Sequence, residues 1–181
     1  MRIGHRGFAI RVAGDAAHGL LFTGYVLAEA ALIDRRAVAH APTLGLAARG
    51  PLSGGAIQIG GEPEEYPLVD EPDCLLLTSR EALTVYAESL APAGLLVVEE
   101  SLTGPPDHAV PLPLIRTAVD SGGTPLLVDL VAAAVLAELT GAVSRRALEE
   151  AAGRLLPERG RPAGVAALEA GLELGKRRPR A

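Results

Sequence analysis

Six residues of this 181-residue chain have the types and neighbours to touch a ligand: Gly14, His18 and Gly19 in one small-residue turn, and Arg49, Gly50 and Ser53 in another. Glycine lets a ligand approach the backbone closely. A helix predicted just after Gly19 would point its free N–H groups at an anion, although Asp15 adds opposing negative charge. The turn Gly14-Asp15-Ala16-Ala17-His18-Gly19 is not a dinucleotide fingerprint. Its glycines are spaced wrongly for Gly-x-Gly-x-x-Gly, and Ala16 and Ala17 place Cβ atoms where a phosphate needs bare backbone. His18 stands at the carboxyl tip of the first predicted strand, where ligands bind in open α/β sheets. Its other reading is a helix-start histidine bonded to its own loop. Arg49 is a lone cation among small residues. Its planar fork suits a phosphate or carboxylate, or a salt bridge that pins the loop.

The other reactive side chains exclude more than they suggest. His5, His18, His40 and His108 are scattered, with no paired-ligand spacing. Cys74 is the only cysteine, so the chain cannot build a disulfide framework, a cysteine zinc site or an iron–sulfur cluster by itself. Its place in Cys74-Leu75-Leu76-Leu77 predicts a buried core thiol. There is no nucleophile elbow and no phosphate loop. Glu64, Glu65, Asp70 and Glu71 lie in a proline-punctuated connection and read as a solvated acidic loop. Glu99 and Glu100 end a buried strand and could face a site. No catalytic residue and no metal site is assigned.

The elements that would position these residues alternate. Strands are expected at 8–13, 37–40, 56–59, 74–78 and 95–98, with at best an edge strand between 109 and 114 because of two prolines. Helices are expected at 20–33, 80–90, 115–119, 130–139, 145–156 and 163–174. Ser79, Asp129 and Ser144 read as caps of the helices that follow them. Gly24, inside the first helix, predicts close packing against a neighbour. Residues 41–53 form a long loop, of the length that is usually functional or disordered. The strand 95–98 is apolar on both faces, and so is the helix 130–139 nearly all round, so both are buried. The order predicts one α/β domain over residues 1–175: an open, mostly parallel sheet flanked by helices, with C-terminal helices packed on it.

Composition narrows the function. Aromatics are 3% of residues and Trp is absent, which removes stacking platforms for single-stranded nucleic acid. The formal net charge of −5 argues against a nucleic-acid partner. The basic tail, 176–181, is either a contact to an acidic partner or phosphate, or a frayed, solvated end. No segment has the length of a transmembrane helix or the pattern of a signal peptide, and a cytoplasmic protein is expected.

Several segments together resemble the gamma subunit of 2-oxoacid:ferredoxin oxidoreductases, the enzymes of pyruvate, 2-oxoglutarate and related acids. Ile10 through Gly19, then Gly24 and Leu27-Ala28-Glu29-Ala30, resemble its start. Arg49-Gly50 with Ser53 is similar to its Ala-Arg-Gly-Gly-x-Ser loop, and Tyr66-Pro67-Leu68-Val69 with Pro72-Asp73 to its Tyr-Pro-x-Val-x-x-Pro-Asp stretch. Leu139-Thr140-Gly141-Ala142-Val143-Ser144 resembles its helix junction, and Ala166 with Glu169-Ala170-Gly171 its last helix. The departures cluster in loops. Ala16, Ala17 and His18 replace Gly-Gly-Gln, while Leu46, Ala47 and Pro51 replace Pro, Glu and Gly, and Asp129 stands where the family has a capping Asn.

The resemblance implies a subunit that supports coenzyme-A-dependent oxidative decarboxylation of a 2-oxoacid and is inactive alone. It implies thiamine diphosphate, magnesium and iron–sulfur clusters on companion alpha and beta subunits, a ferredoxin-like delta subunit in some complexes, and ferredoxin as electron acceptor. Gly14, His18, Gly19, Arg49, Gly50 and Ser53 would face coenzyme A or a subunit. The rival readings are a non-catalytic assembly or regulatory protein on the same fold, and a free-standing coenzyme- or nucleotide-binding protein.

Overall fold

The computed structural model describes residues 7–15, 20–43, 52–60 and 69–177. Its six strands are β1 (Phe8–Asp15), β2 (Val38–Thr43), β3 (Leu52–Ile59), β4 (Cys74–Leu77), β5 (Leu95–Glu99) and β6 (Val110–Leu112). They form one sheet in the order β2-β3-β1-β4-β5-β6. The β1–β4, β4–β5 and β5–β6 pairs are parallel, while β3 is antiparallel to both β1 and β2. Only β3 therefore runs against the rest, and the sheet is mostly parallel as expected.

Three strand boundaries are corrected. β1 runs on through Gly14 and Asp15, which the sequence assigns to a turn. β2 and β3 both reach into the expected loop, with Pro42 opposite Gly55 and Ser53 opposite Gly14. Pro42 is tolerated because β2 is an edge strand, where a missing N–H leaves no ladder bond unmade.

The helices are α1 (Leu21–Ile33), α2 (Arg80–Tyr86), α3 (Leu114–Gly122), α4 (Val128–Thr140), α5 (Arg145–Leu155) and α6 (Arg161–Lys176). They divide unevenly. Ile10, Val12, Ile57, Ile59, Cys74 and Leu76 point to one sheet face, where they pack with α1, α3 and α4 and, behind these, α5 and α6. Ala13, Leu75, Leu77 and Leu96 point to the other, covered by α2 through Ala82 and Leu83. α4 is buried from Val128 to Ala137 on all sides, as its composition predicts. Leu95 to Val98, apolar on both faces, serves both cores.

Ser79 and Ser144 cap α2 and α5, accepting from the N–H of Ala82 and Ala147. Asp34, at the carboxyl end of α1, grips the start of α5 by accepting from both the amide and hydroxyl of Ser144, at 2.6 and 2.7 Å. Lys176, assigned to the tail, closes α6 and pairs with Glu173 at 2.6 Å. Residues 178–181 lie outside the described residues.

Gly24 is required by its neighbour. A Cβ there would sit 2.2 Å from Nε2 of His40, whose ring lies between α1 and the sheet. The ring meets Tyr25 edge-on at 4.9 Å, and burial pulls its pKa below the ordinary histidine value. Gly24→Ala is therefore expected to cost about 1–3 kcal/mol by overpacking, read as a lower thermal midpoint. His40→Ala in the same background should recover part of that loss.

Candidate functional site

Several elements converge on one end of the sheet. β1 and β2 finish there and β3 begins there, so the segments 16–19 and 44–51 both leave from this edge. α1 starts one residue after Leu20, and α2 starts just beyond Thr78 and Ser79, which follow β4. This is the carboxyl edge of the parallel strands, where α/β sheets bind ligands. Of the six residues singled out in the sequence, Gly14 and Ser53 are brought together as direct cross-strand partners at this edge. His18, Gly19, Arg49 and Gly50 lie outside the described residues.

Ser53, Gly14 and the residue after β4, Thr78, form a row across three adjacent strands. Thr78 donates its amide to the carbonyl of Ala13 at 3.1 Å, which sets its level beside Gly14. All three share the face of the sheet that carries α1. Ser53 keeps the parity of Ile57 and Ile59, and Thr78 that of Cys74 and Leu76. A Cβ on Gly14 would lie 2.0 Å from the Thr78 hydroxyl and 3.2 Å from Leu20, so the threonine leans into the space glycine leaves. Ser53 and Thr78 are buried at 7% and 5% exposure. Among the described residues neither hydroxyl has a hydrogen-bond partner. Sequence reasoning missed Thr78; its one signal was its place directly after a buried strand.

The start of α1 differs from the expectation of an open anion site. Asp129, expected to cap the helix it opens, lies in the first turn of α4 and reaches across to α1 instead. Its Oδ1 accepts from the amide of Thr23 at 2.8 Å, and the Thr23 hydroxyl lies 3.0 Å from both that oxygen and the Asp129 carbonyl. Phe22 adds a second backbone N–H. Two of α1's terminal donors are thus taken by the chain's own carboxyl. Burial pushes the Asp129 pKa up to about 7, against the lowering effect of these hydrogen bonds.

Glu99, at the carboxyl end of β5, does comparable work. It is 3% exposed and accepts from the amide of Ile115 at 2.9 Å, holding the start of α3. Burial raises its pKa while the amides of Ile115, Ser101 and Leu114 oppose the rise. Glu100 pairs with Arg116 at 2.9 Å. The two carboxylates that could have faced a site therefore hold α3 in place.

The remaining candidates stand apart from this edge. Cys74 is fully buried, and desolvation with the nearby charge of Asp73 pushes its thiol up to about 12, far from nucleophilic at neutral pH. His108 lines a cleft of about 410 Å³ at the opposite, amino edge, with Phe8, Asp73, Gly94 and Thr140. Asp70 and Glu71 are exposed, as a solvated loop requires, while Glu64 and Glu65 lie outside the described residues. Among the described residues no group of three His, Cys, Asp or Glu converges as metal ligands, and no single helix is long and apolar enough to cross a membrane.

Comparison with known proteins decides the family. Residues 9–174 match the family described as pyruvate ferredoxin/flavodoxin oxidoreductase. The chain belongs to that family. It is 32% identical to the 2-oxoglutarate synthase subunit KorC of Methanothermobacter marburgensis, over 91% of this chain and 95% of that protein. The KorC subunit of Methanocaldococcus jannaschii is 28% identical over 92% and 93% of the two chains.

Among solved structures, the gamma subunit of the keto/oxoacid ferredoxin oxidoreductase of Geobacter sulfurreducens superposes with a TM-score of 0.84 at 28% identity, covering 95% of this chain and 98% of that one. The fold also recurs, at TM-score 0.81 and 22% identity, in 32% of a chain of the Magnetococcus marinus 2-oxoglutarate:ferredoxin oxidoreductase, a structure with 2-oxoglutarate, coenzyme A and succinyl-CoA bound. End-to-end matches to separate subunits make this family member a gamma-type chain, divergent from its relatives.

Proposed function

We propose that this chain is the gamma subunit of a 2-oxoacid:ferredoxin oxidoreductase complex and supports coenzyme-A-dependent oxidative decarboxylation without catalytic residues of its own. The observation that carries this reading is the end-to-end match to a stand-alone gamma subunit. The chemistry of the chain supports it. One cysteine cannot hold an iron–sulfur cluster, so the clusters, thiamine diphosphate and magnesium belong on alpha, beta and, where present, delta subunits. The complex would pass its electrons to ferredoxin in the cytoplasm.

In this reading the carboxyl edge faces coenzyme A or a partner subunit. Gly14 and Ser53 form its floor, and His18, Gly19, Arg49 and Gly50 belong to the segments that leave from it. Reconstitution tests the role directly. The complex assembled without this chain is expected to lose 2-oxoacid- and coenzyme-A-dependent ferredoxin reduction. Full turnover in its absence would sink the proposal. Within the assembled complex, Arg49→Ala is expected to raise the KM for coenzyme A about tenfold or more, the worth of a charged hydrogen bond.

A further inference from the structure

We infer that the Thr78 hydroxyl, together with that of Ser53, is a binding group for a neutral secondary amide at the carboxyl edge of the sheet. This rests on the reading of that edge as the face toward coenzyme A or a partner subunit. The starting point is an energetic anomaly. Two hydroxyls more than nine-tenths buried lack partners among the described residues, and leaving a buried polar group unpaired is unfavourable. Both lie on the same face and at the same level, separated by the width of one glycine strand position. Two strand spacings put their Cα atoms about 10 Å apart. A core with no further task would place valine or alanine at these positions.

The surroundings select the ligand's charge. The donors of Phe22 and Thr23 at the start of α1 are already bonded to Asp129, so an anion would find them taken. A hydroxyl both donates and accepts, so it can serve either end of an amide. The Leu20 side chain lies 3.2 Å from where a Cβ on Gly14 would be and closes that position on the α1 side. Secondary amides come to this edge from two sources: the pantetheine arm of coenzyme A, or the main chain of a partner subunit.

The test sets stability against binding. Thr78→Val keeps the shape and removes the unpaired hydroxyl. The full chain carrying it is expected to unfold at a higher urea concentration than the wild type. In the reconstituted complex the same variant is expected to weaken one interaction about fivefold, the ratio set by one neutral hydrogen bond, and Thr78→Ser is expected to restore it. A rise in the KM for coenzyme A relative to that for the 2-oxoacid identifies pantetheine as the amide. A rise in the Kd for assembly with the partner subunits identifies their main chain. Higher stability with neither constant changed overturns the inference, and so does lower stability, which would show that the hydroxyl already has a partner. Failure of the gamma-subunit reading shows separately, as full turnover of the complex without this chain.

Discussion

Asp129→Asn is expected to leave stability nearly unchanged at pH 4 and to raise it by up to about 3–4 kcal/mol at pH 8. In the folded chain burial pushes the Asp129 pKa up to about 7 from an ordinary 3.8, so between those values the folded state holds a proton that the unfolded state has released. Stability from this group is therefore complete below about 3.8 and is lost as pH rises through 7. Every tenfold difference in proton affinity between the folded and unfolded chain is worth about 1.4 kcal/mol, which sets the upper limit. Asparagine keeps an oxygen for the amide of Thr23 but cannot ionise, so the loss disappears. Two other groups complicate the raw pH curve. Glu99 is raised in the same sense, while His40 is lowered and loses stability as pH falls through its range. The difference between wild type and Asp129→Asn cancels both.

Asp129→Ala separates the charge from the cap. At pH 5, where the native carboxyl is largely protonated, alanine still removes the acceptor for Thr23 and leaves a buried N–H unpaired. A loss of about 1–3 kcal/mol is expected there. Urea unfolding of the three proteins at pH 4, 5 and 8 measures all of this. Equal pH dependence in wild type and Asp129→Asn would show that the carboxyl does not titrate between the folded and unfolded states as argued.

The same residue shows what the sequence could and could not reveal. Asp129 reads as a cap because it stands before an apolar run, and it is one. The helix it caps holds its partner Thr23, 106 residues earlier in the chain, and no local pattern reports such a partner. Ser79 and Ser144 were legible because their partners are three residues away. The apolar strand and helix runs were legible for a related reason: burial on both faces leaves a mark in composition. The ends of β2 and β3 were hidden by Pro42 and by Gly54-Gly55, residues that read as loop but are permitted by an edge position and by close approach of Val12 and His40.

At the candidate site the split is similar. Gly14 and Ser53 stand out as small residues in loop-like runs. Their meeting requires β3 to run antiparallel beside β1. Thr78 has a type found in any strand, and its interest arises only from being buried without a partner beside a glycine.

The largest effect outside the site is expected at the seam between α4 and α6. Gly171 lies where a Cβ would approach the Val131 carbonyl oxygen to 2.7 Å, the Ala134 Cβ to 2.8 Å and the Val131 Cα to 2.9 Å. These are backbone atoms and a stub of a side chain on a helix buried all round, so no rotamer change relieves the contact. Gly171→Ala must push α6 away from α4, opening gaps along Ala167, Leu168 and Leu172, which are buried in the same core. Alanine's better helix propensity returns only about 1 kcal/mol, less than the overpacking cost of about 1–3 kcal/mol plus the lost packing. A net loss of about 2 kcal/mol is expected, and Gly171→Val should lose still more.

Gly153 on α5 is the control, since a Cβ there meets nothing within 4 Å. Gly153→Ala is expected to stabilise by propensity alone, about 1 kcal/mol. Opposite signs for two glycine-to-alanine changes in helices, read from urea midpoints under one condition, would establish that α6 is held against α4 by close backbone approach. If both changes stabilise, the seam is loose enough to absorb a methyl group and α6 is free to shift on α4.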